Sequence, residues 1–189
     1  MENTILSCIK ERRSIRKYIG EQISNDQLGA ILEAATWAPS GMNNQSWLFT
    51  AIQNQAYLKE LNGLVRKGIQ GLGPEREAFK KVAASDNYCF YYSAPTLIVA
   101  SNVGGYSNAM VDCAAALENM LLAAHSLDIG GCWVNQLRWL EDDEEVRSFL
   151  LQFGIPKEHV ICGAAAIGYI DGQSPAPAAR KENTIRIIK

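Results

Sequence analysis

The sequence has little that ligates metal. It contains two histidines, His125 and His159, and five scattered cysteines, Cys8, Cys89, Cys113, Cys132 and Cys162, with no Cys/His pair at metal-ligand spacing. The odd number of cysteines and the lack of closely spaced pairs speak for reduced thiols in a cytoplasmic protein rather than a disulfide framework. No G-x-G-x-x-G, P-loop, H-E-x-x-H or G-x-S-x-G segment occurs. No apolar run approaches membrane-spanning length. Glu2 and Lys10 sit in an amphipathic stretch, so the N-terminus does not read as a signal peptide. The net charge of −2 offers no bulk positive field to nucleic acid or an anionic membrane, and neither is expected as a partner. What remains is an ordinary globular composition, 48% hydrophobic and 20% charged over 189 residues, expected to form one domain spanning 1–189.

Along the chain, Ile5, Leu6 and Ile9 stand at helical spacing within residues 4–11. Ser24 and Gln27 form a capping box ahead of an apolar stripe of Leu28, Ile31, Leu32 and Ala35, and Pro39 ends that helix. Residues 47–52 read as a strand. Residues 55–83 read as helix interrupted by Gly71, Gly73 and Pro74, and 94–101 as a buried strand. The stretch 108–127 is apolar almost all round and predicts a long buried central helix. Its polar residues Asp112, Asn119 and Ser126 recur every seven positions, so they form one stripe, expected to face a partner subunit. Residues 142–153 predict another helix closed by Gly154, then strands at 160–170 and 184–188. The mixed order predicts an α+β fold with a central, mostly antiparallel sheet flanked by helices.

Three constellations could carry chemistry. Arg12, Arg13, Ser14 and Arg16 concentrate guanidinium groups around a hydroxyl; if the segment is extended, Arg12, Ser14 and Arg16 share a side. Such a face suits a phosphate or a carbonyl-rich ring edge, and basic residues there equally suit the carbonyls ending the preceding helix. Pro39, Ser40, Gly41, Met42, Asn43 and Gln45 form a turn rich in amides, either a reader of a heterocycle or a plain Asx-type loop. Gly130-Gly131-Cys132-Trp133 allows close backbone approach to a ligand, or caps the helix before it. Few side chains here could catalyse unaided, which suggests a cofactor that performs the chemistry.

In this order the segments resemble the nitroreductase family of flavin enzymes. Arg12 to Tyr18 is similar to its "RRSxRxF/Y" opening, Ala38 to Trp47 to "APSxxNxQPWxF", and Asp112 to Trp133 to "LLAAxxLGLGxCWxG". Residues 166–169 followed by Arg180-Lys181 resemble "hxGYP…RK". The resemblance implies a nitroreductase-like fold and a homodimer with two FMN sites, each lined by both subunits. It implies that Arg12, Arg13, Ser14 and Arg16 hold the ribityl phosphate and pyrimidine edge, with Arg180 and Lys181 at the phosphate. Pro39, Ser40, Gly41 and Met42 would come from the other subunit, with Asn43 and Gln45 as amide readers and the backbone of Gly131, Cys132 and Trp133 over the ring.

The implied reaction passes hydride from NADH or NADPH through the flavin to nitroaromatic, quinone or similar small-molecule acceptors. Dehalogenation, flavin cleavage and dehydrogenation on the same fold, or flavin sensing without turnover, stay open alternatives. Ser46 in place of the usual proline, and Val134-Asn135-Gln136 without the usual glycine, are departures that bear on the site. The role of residues 60–90 is open, as the only stretch where a lid could be inserted. Residues 184–189 are expected to reach a partner's sheet edge.

Overall fold

In the computed structural model, which describes residues 3–189, four strands form one sheet in the order β1-β2-β4-β3. The strands are β1 (Trp47–Ile52), β2 (Thr96–Val103), β3 (Gly130–Val134) and β4 (His159–Gly168), and every neighbouring pair is antiparallel. This is the expected α+β arrangement. Alternation along the central strands sends side chains to two cores. Leu97 and Val99 of β2 and Ala164 and Ala166 of β4 enter one core, and Ile98, Ala100, Ala165 and Ile167 the other. Helices cover both faces, so the strands read as continuous apolar runs.

The first core is roofed by α3 (Gln55–Gly71) and α7 (Glu144–Leu151). Leu58, Leu61, Val65 and Ile69 project from one side of α3 and are fully buried, each worth roughly 1.5–3 kcal/mol. Gly71 ends that helix, and Pro74 opens a short turn before α4 (Glu77–Ala83), as the glycines and proline predict. The second core holds α2 (Asn25–Thr36) and α5 (Ala109–Ser126), which pack on each other and on the sheet. The capping box forms: Gln27 N–H donates to Ser24 Oγ at 3.1 Å, and Ser24 N–H to Gln27 Oε1 at 2.9 Å.

Two expectations are corrected, one open alternative is decided, and one helix appears that the sequence left unmarked. The Asp112, Asn119 and Ser126 stripe is divided among different neighbours within the chain. Asp112 is 4% exposed beside the turn at Gly41, Asn119 donates to Ala34 O of α2 at 3.0 Å, and only Ser126 is exposed. A seven-residue period places residues on one face but leaves open which neighbour covers it. Within the single chain, residues 184–188 form no strand. Gly130 is no helix cap: Leu127 and Asp128, the latter at φ 59°, end α5 and Gly130 begins β3. A short α6 (Gln136–Trp139) follows β3, unmarked in the sequence by any cap.

The remaining helix, α1 (Thr4–Glu11), starts with Asn3 accepting from the Ile5 and Leu6 N–H groups and buries none of its residues. No helix among the described residues is long and apolar enough to cross a membrane.

Candidate functional site

Residues leaving α1 run along the end of β3. Ile15 N–H donates to Gly131 O at 3.0 Å, Ser14 bridges Gly131, and Tyr18 bridges Ile170. Ile15 is 4% exposed and lies so close that a Cβ on Gly130 would stand 2.9 Å from Ile15 Cγ2. Glycine is therefore required at 130 by close approach rather than by a turn. Tyr18 fastens the same segment from below, donating to Ile15 O at 2.6 Å.

The basic side chains then part. Arg12 Nε lies 3.4 Å from Glu118 Oε1, an ion pair without a formed hydrogen bond. Arg13 Nη1 donates to Lys10 O at 2.6 Å and Arg12 O at 2.7 Å, so it satisfies carbonyls at the end of α1. Arg16 Nε donates to Tyr92 OH at 3.3 Å. Arg12 and Arg13 line a cavity of about 270 Å³ with His125, Asp128 and Gly131. Ser14 and Arg16 line a neighbouring hollow of about 230 Å³ with Lys17 and Gln173. Arg12, Ser14 and Arg16 nonetheless share a neighbour, Cys132. Burial pushes the Cys132 thiol up from its ordinary value, against the pull of the two cations and the Ser14 hydroxyl. A neutral, buried thiol is a poor nucleophile.

The amide-rich turn is built differently. Asp112 accepts the Gly41 N–H with both carboxylate oxygens, at 3.1 and 3.2 Å, and Tyr106 OH donates to Gly41 O and to Asp112 Oδ2, each at 3.1 Å. A Cβ on Gly41 would stand 2.2 Å from Asn108 Nδ2 and 2.5 Å from Tyr106 OH, so a larger residue would push both side chains aside and disturb this anchor. Beyond this anchor, Met42, Asn43 and Gln45 take φ values of 53°, 54° and 47°. Left-handed conformations at three non-glycine residues store strain and cluster where a turn must present its groups in one arrangement. Pro39 and Met42 are exposed, and Gln45 Nε2 donates to Asn43 Oδ1 at 2.8 Å.

Within one chain these two halves do not meet. A Cβ on Gly131 would stand 2.6 Å from Leu121 Cδ2, while Gly41 rests on Asp112. The two contact residues are nine positions apart on α5, about 13 Å of rise and two and a half turns. The glycine strand and the amide turn therefore pack on opposite faces of one helix.

The remaining candidates are dispersed. Trp133 Nε1 donates to Asn135 Oδ1 at 2.8 Å, on the face of β3 opposite Cys132. Gln136 turns to the Tyr88 phenol. Arg180 and Lys181 are exposed, and among the described residues their side chains form no hydrogen bond or ion pair with residues 12–16. Sequence reasoning missed Tyr92, Tyr106 and Glu118, and it quoted Tyr18 in a motif without giving it a role in the site. For Tyr92 a signal existed: three tyrosines and a phenylalanine crowd into residues 88–92.

A family model described as "Nitroreductase family" matches residues 9–169. The chain belongs to the nitroreductase family. Among solved nitroreductases, one from Bacteroides fragilis with bound FMN is 42% identical, with each chain covered in full and a TM-score of 0.94. Another with bound FMN, from Desulfitobacterium hafniense, is 26% identical over the full length of both chains, with a TM-score of 0.88. An Archaeoglobus fulgidus protein named as an NADH dehydrogenase/NAD(P)H nitroreductase is 33% identical over 164 residues, 87% of this chain and 84% of that protein. The fold shared with these nitroreductases is the one the sequence resemblance implies.

Proposed function

We propose that the protein is a cytoplasmic, homodimeric FMN-dependent oxidoreductase in which residues 1–189 form a single FMN-binding domain. It takes hydride from NADH or NADPH and delivers it to a small organic acceptor of the nitroaromatic or quinone class. Membership of the nitroreductase family and the FMN-bound relative at 42% identity support the cofactor. The observation that carries the dimeric site is the placement of the amide turn and the glycine strand on opposite faces of α5. One chain presents two half-sites, each pointing away from the other, so two chains are needed to close one site.

The residues present fit such a group. Arg12 Nε and Arg13 Nε are buried and have no hydrogen-bond acceptor among the described residues. Arg12 Nε already faces the Glu118 carboxylate at 3.4 Å, but Arg13 Nε is a buried donor without an acceptor, which suits an anion, and the cavity the two arginines line has room for a phosphate. When bound, FMN supplies a centre that accepts and donates hydride, which no side chain of this protein can do. In this reading Arg12, Arg13 and Ser14 bind the phosphate and ribityl chain, joined by Arg180 and Lys181. Arg16 stabilises negative charge at the pyrimidine edge. Pro39, Ser40, Gly41 and Met42 of a second copy orient and shield the ring, with Asn43 and Gln45 offering amides at its margin. Backbone N–H groups at Gly131, Cys132 and Trp133 face the other side.

Surface character favours the dimer. Ile5, Leu6 and Ile9 of α1, with Trp37 and Met42, are exposed in the single chain, and Ile185, Ile187 and Ile188 of the tail are almost fully so. The experiment is an absorbance spectrum of the purified protein, then anaerobic titration with NADH or NADPH and reoxidation by a quinone or a nitroaromatic. Bleaching and recovery are expected. A protein that stays colourless with added FMN overturns the proposal.

A further inference from the structure

The run Tyr88–Ser93, between α4 and β2, has no part in the reading above, yet its backbone is held under strain. Tyr92 and Ser93 both lie at φ 56°, a left-handed conformation that is an outlier for a bulky residue. Strain persists only where the surroundings over-determine it, and here they do. Phe90 and Tyr91 are buried, Phe90 N–H donates to Asn62 Oδ1 at 3.0 Å, and Tyr92 N–H donates to Cys89 O at 3.0 Å. The consequence is that Tyr92 is delivered to Arg16, 76 residues away in sequence.

Arg16 Nε donates to Tyr92 OH at 3.3 Å, and the guanidinium carbon stands 5.6 Å from the centre of the same ring. Arg16 is exposed, and among the described residues it has no carboxylate partner. Lys17 next to it is paired with Asp171 at 2.8 Å. An exposed arginine ordinarily samples many rotamers, and an anion that it binds must bear the cost of ordering it. A carboxylate would order the side chain but neutralise it. A phenol orders it and leaves the charge intact.

We propose that Tyr92 is a positioning residue that holds the Arg16 guanidinium, still fully charged, over the hollow it shares with Ser14, ready for the electron-rich edge of the flavin. The inference rests on the FMN reading. A cation fixed there favours the more negative, reduced form of the bound cofactor over the oxidised one, and a loosely tethered cation favours it less.

The test is a double-mutant cycle on FMN-loaded protein. The dissociation constant for FMN and the two-electron midpoint potential are measured for the wild type, Tyr92→Phe, Arg16→Ala and the double variant. Phenylalanine keeps the ring and its packing and removes only the hydroxyl. Tyr92→Phe is expected to weaken FMN binding about threefold to tenfold. It should lower the preference for reduced over oxidised FMN by a similar factor, roughly 15–30 mV at ~30 mV per tenfold for two electrons. Arg16→Ala shifts both further, and adding Tyr92→Phe to it shifts nothing more, because no guanidinium remains to be held. A merely structural tyrosine would lower the melting temperature in both backgrounds and leave the potential alone. The inference is overturned if Tyr92→Phe leaves the potential unchanged while Arg16→Ala moves it, if the shift is equal in both backgrounds, or if Tyr92→Phe binds FMN more tightly. A wild type that takes up no FMN removes the underlying reading itself, and this inference with it.

Discussion

Asp112 accepts the Gly41 N–H through both carboxylate oxygens, at 3.1 and 3.2 Å, from a position in the first turn of α5 that is 4% exposed. A buried carboxylate thus fixes a turn whose next residues are strained. Asp112→Ala leaves the Gly41 N–H without its partner and Tyr106 OH without one of its two. A loss of about 1.5–3 kcal/mol in stability is expected, read from urea unfolding. FMN affinity should fall as well, since the turn no longer holds one arrangement. Unchanged affinity would remove the turn from the site.

Arg12→Ala and Arg16→Ala test the other half. The Arg12–Glu118 ion pair is partly exposed and contributes at most about 1 kcal/mol, so both variants should fold and melt close to the wild type. If these arginines hold the cofactor as proposed, each variant loses a charge-assisted contact to it, and FMN dissociation constants should rise roughly tenfold to a hundredfold. Variants that purify with full flavin would refute the assignment of these arginines.

If α1 is covered by a second copy, a charge in its apolar row must break the assembly. Ile5→Asp or Ile9→Asp alters residues that are exposed in the isolated chain, so the chain's own fold tolerates them. Sedimentation should show monomer in place of dimer, and FMN should be lost with it. A dimeric, flavin-loaded Ile9→Asp protein would place the interface elsewhere.

Stability should be highest between about pH 7 and pH 9. Burial lowers the His159 pKa below 6.5, so the unfolded chain binds more protons there; its contribution is present above that value and lost as pH falls. Burial raises Cys132 above 9.0 and Tyr18, Tyr88 and Tyr91 above 10.0. Those contributions are complete below the ordinary values and lost as pH rises, because the unfolded chain ionises first. Urea midpoints across pH 5–11 read both limbs, and a flat alkaline limb would contradict the burial of the phenols.

Burial and the neutral state of Cys132 also order the thiols by reactivity. Cys8 and Cys89 are half-buried, whereas Cys113, Cys132 and Cys162 are buried, and all five are free. A disulfide reagent at neutral pH should modify at most the first two in the folded protein and the rest only on unfolding. Fast modification of Cys132 would show that β3 opens readily.

Features that depend on neighbours a few positions away were legible in the sequence. The Ser24–Gln27 box set the start of α2, glycines and Pro74 divided α3 from α4, and apolar runs marked the buried strands, because capping, turns and burial periodicity are local. The sequence also carried the motifs that place the chain in its family. Tertiary structure alone decided which neighbours those elements meet. The stripe on α5 reads the same whether it faces a partner or the chain's own turn, and packing chose the turn for Asp112 and α2 for Asn119. Among the arginines, Arg13 turned its Nη1 to the Lys10 carbonyl at the end of α1, and Arg16 was handed to a tyrosine 76 residues on. Residues 184–188 have strand-like composition but form no strand within the single chain, and a ladder needs a second chain segment that the local sequence does not specify.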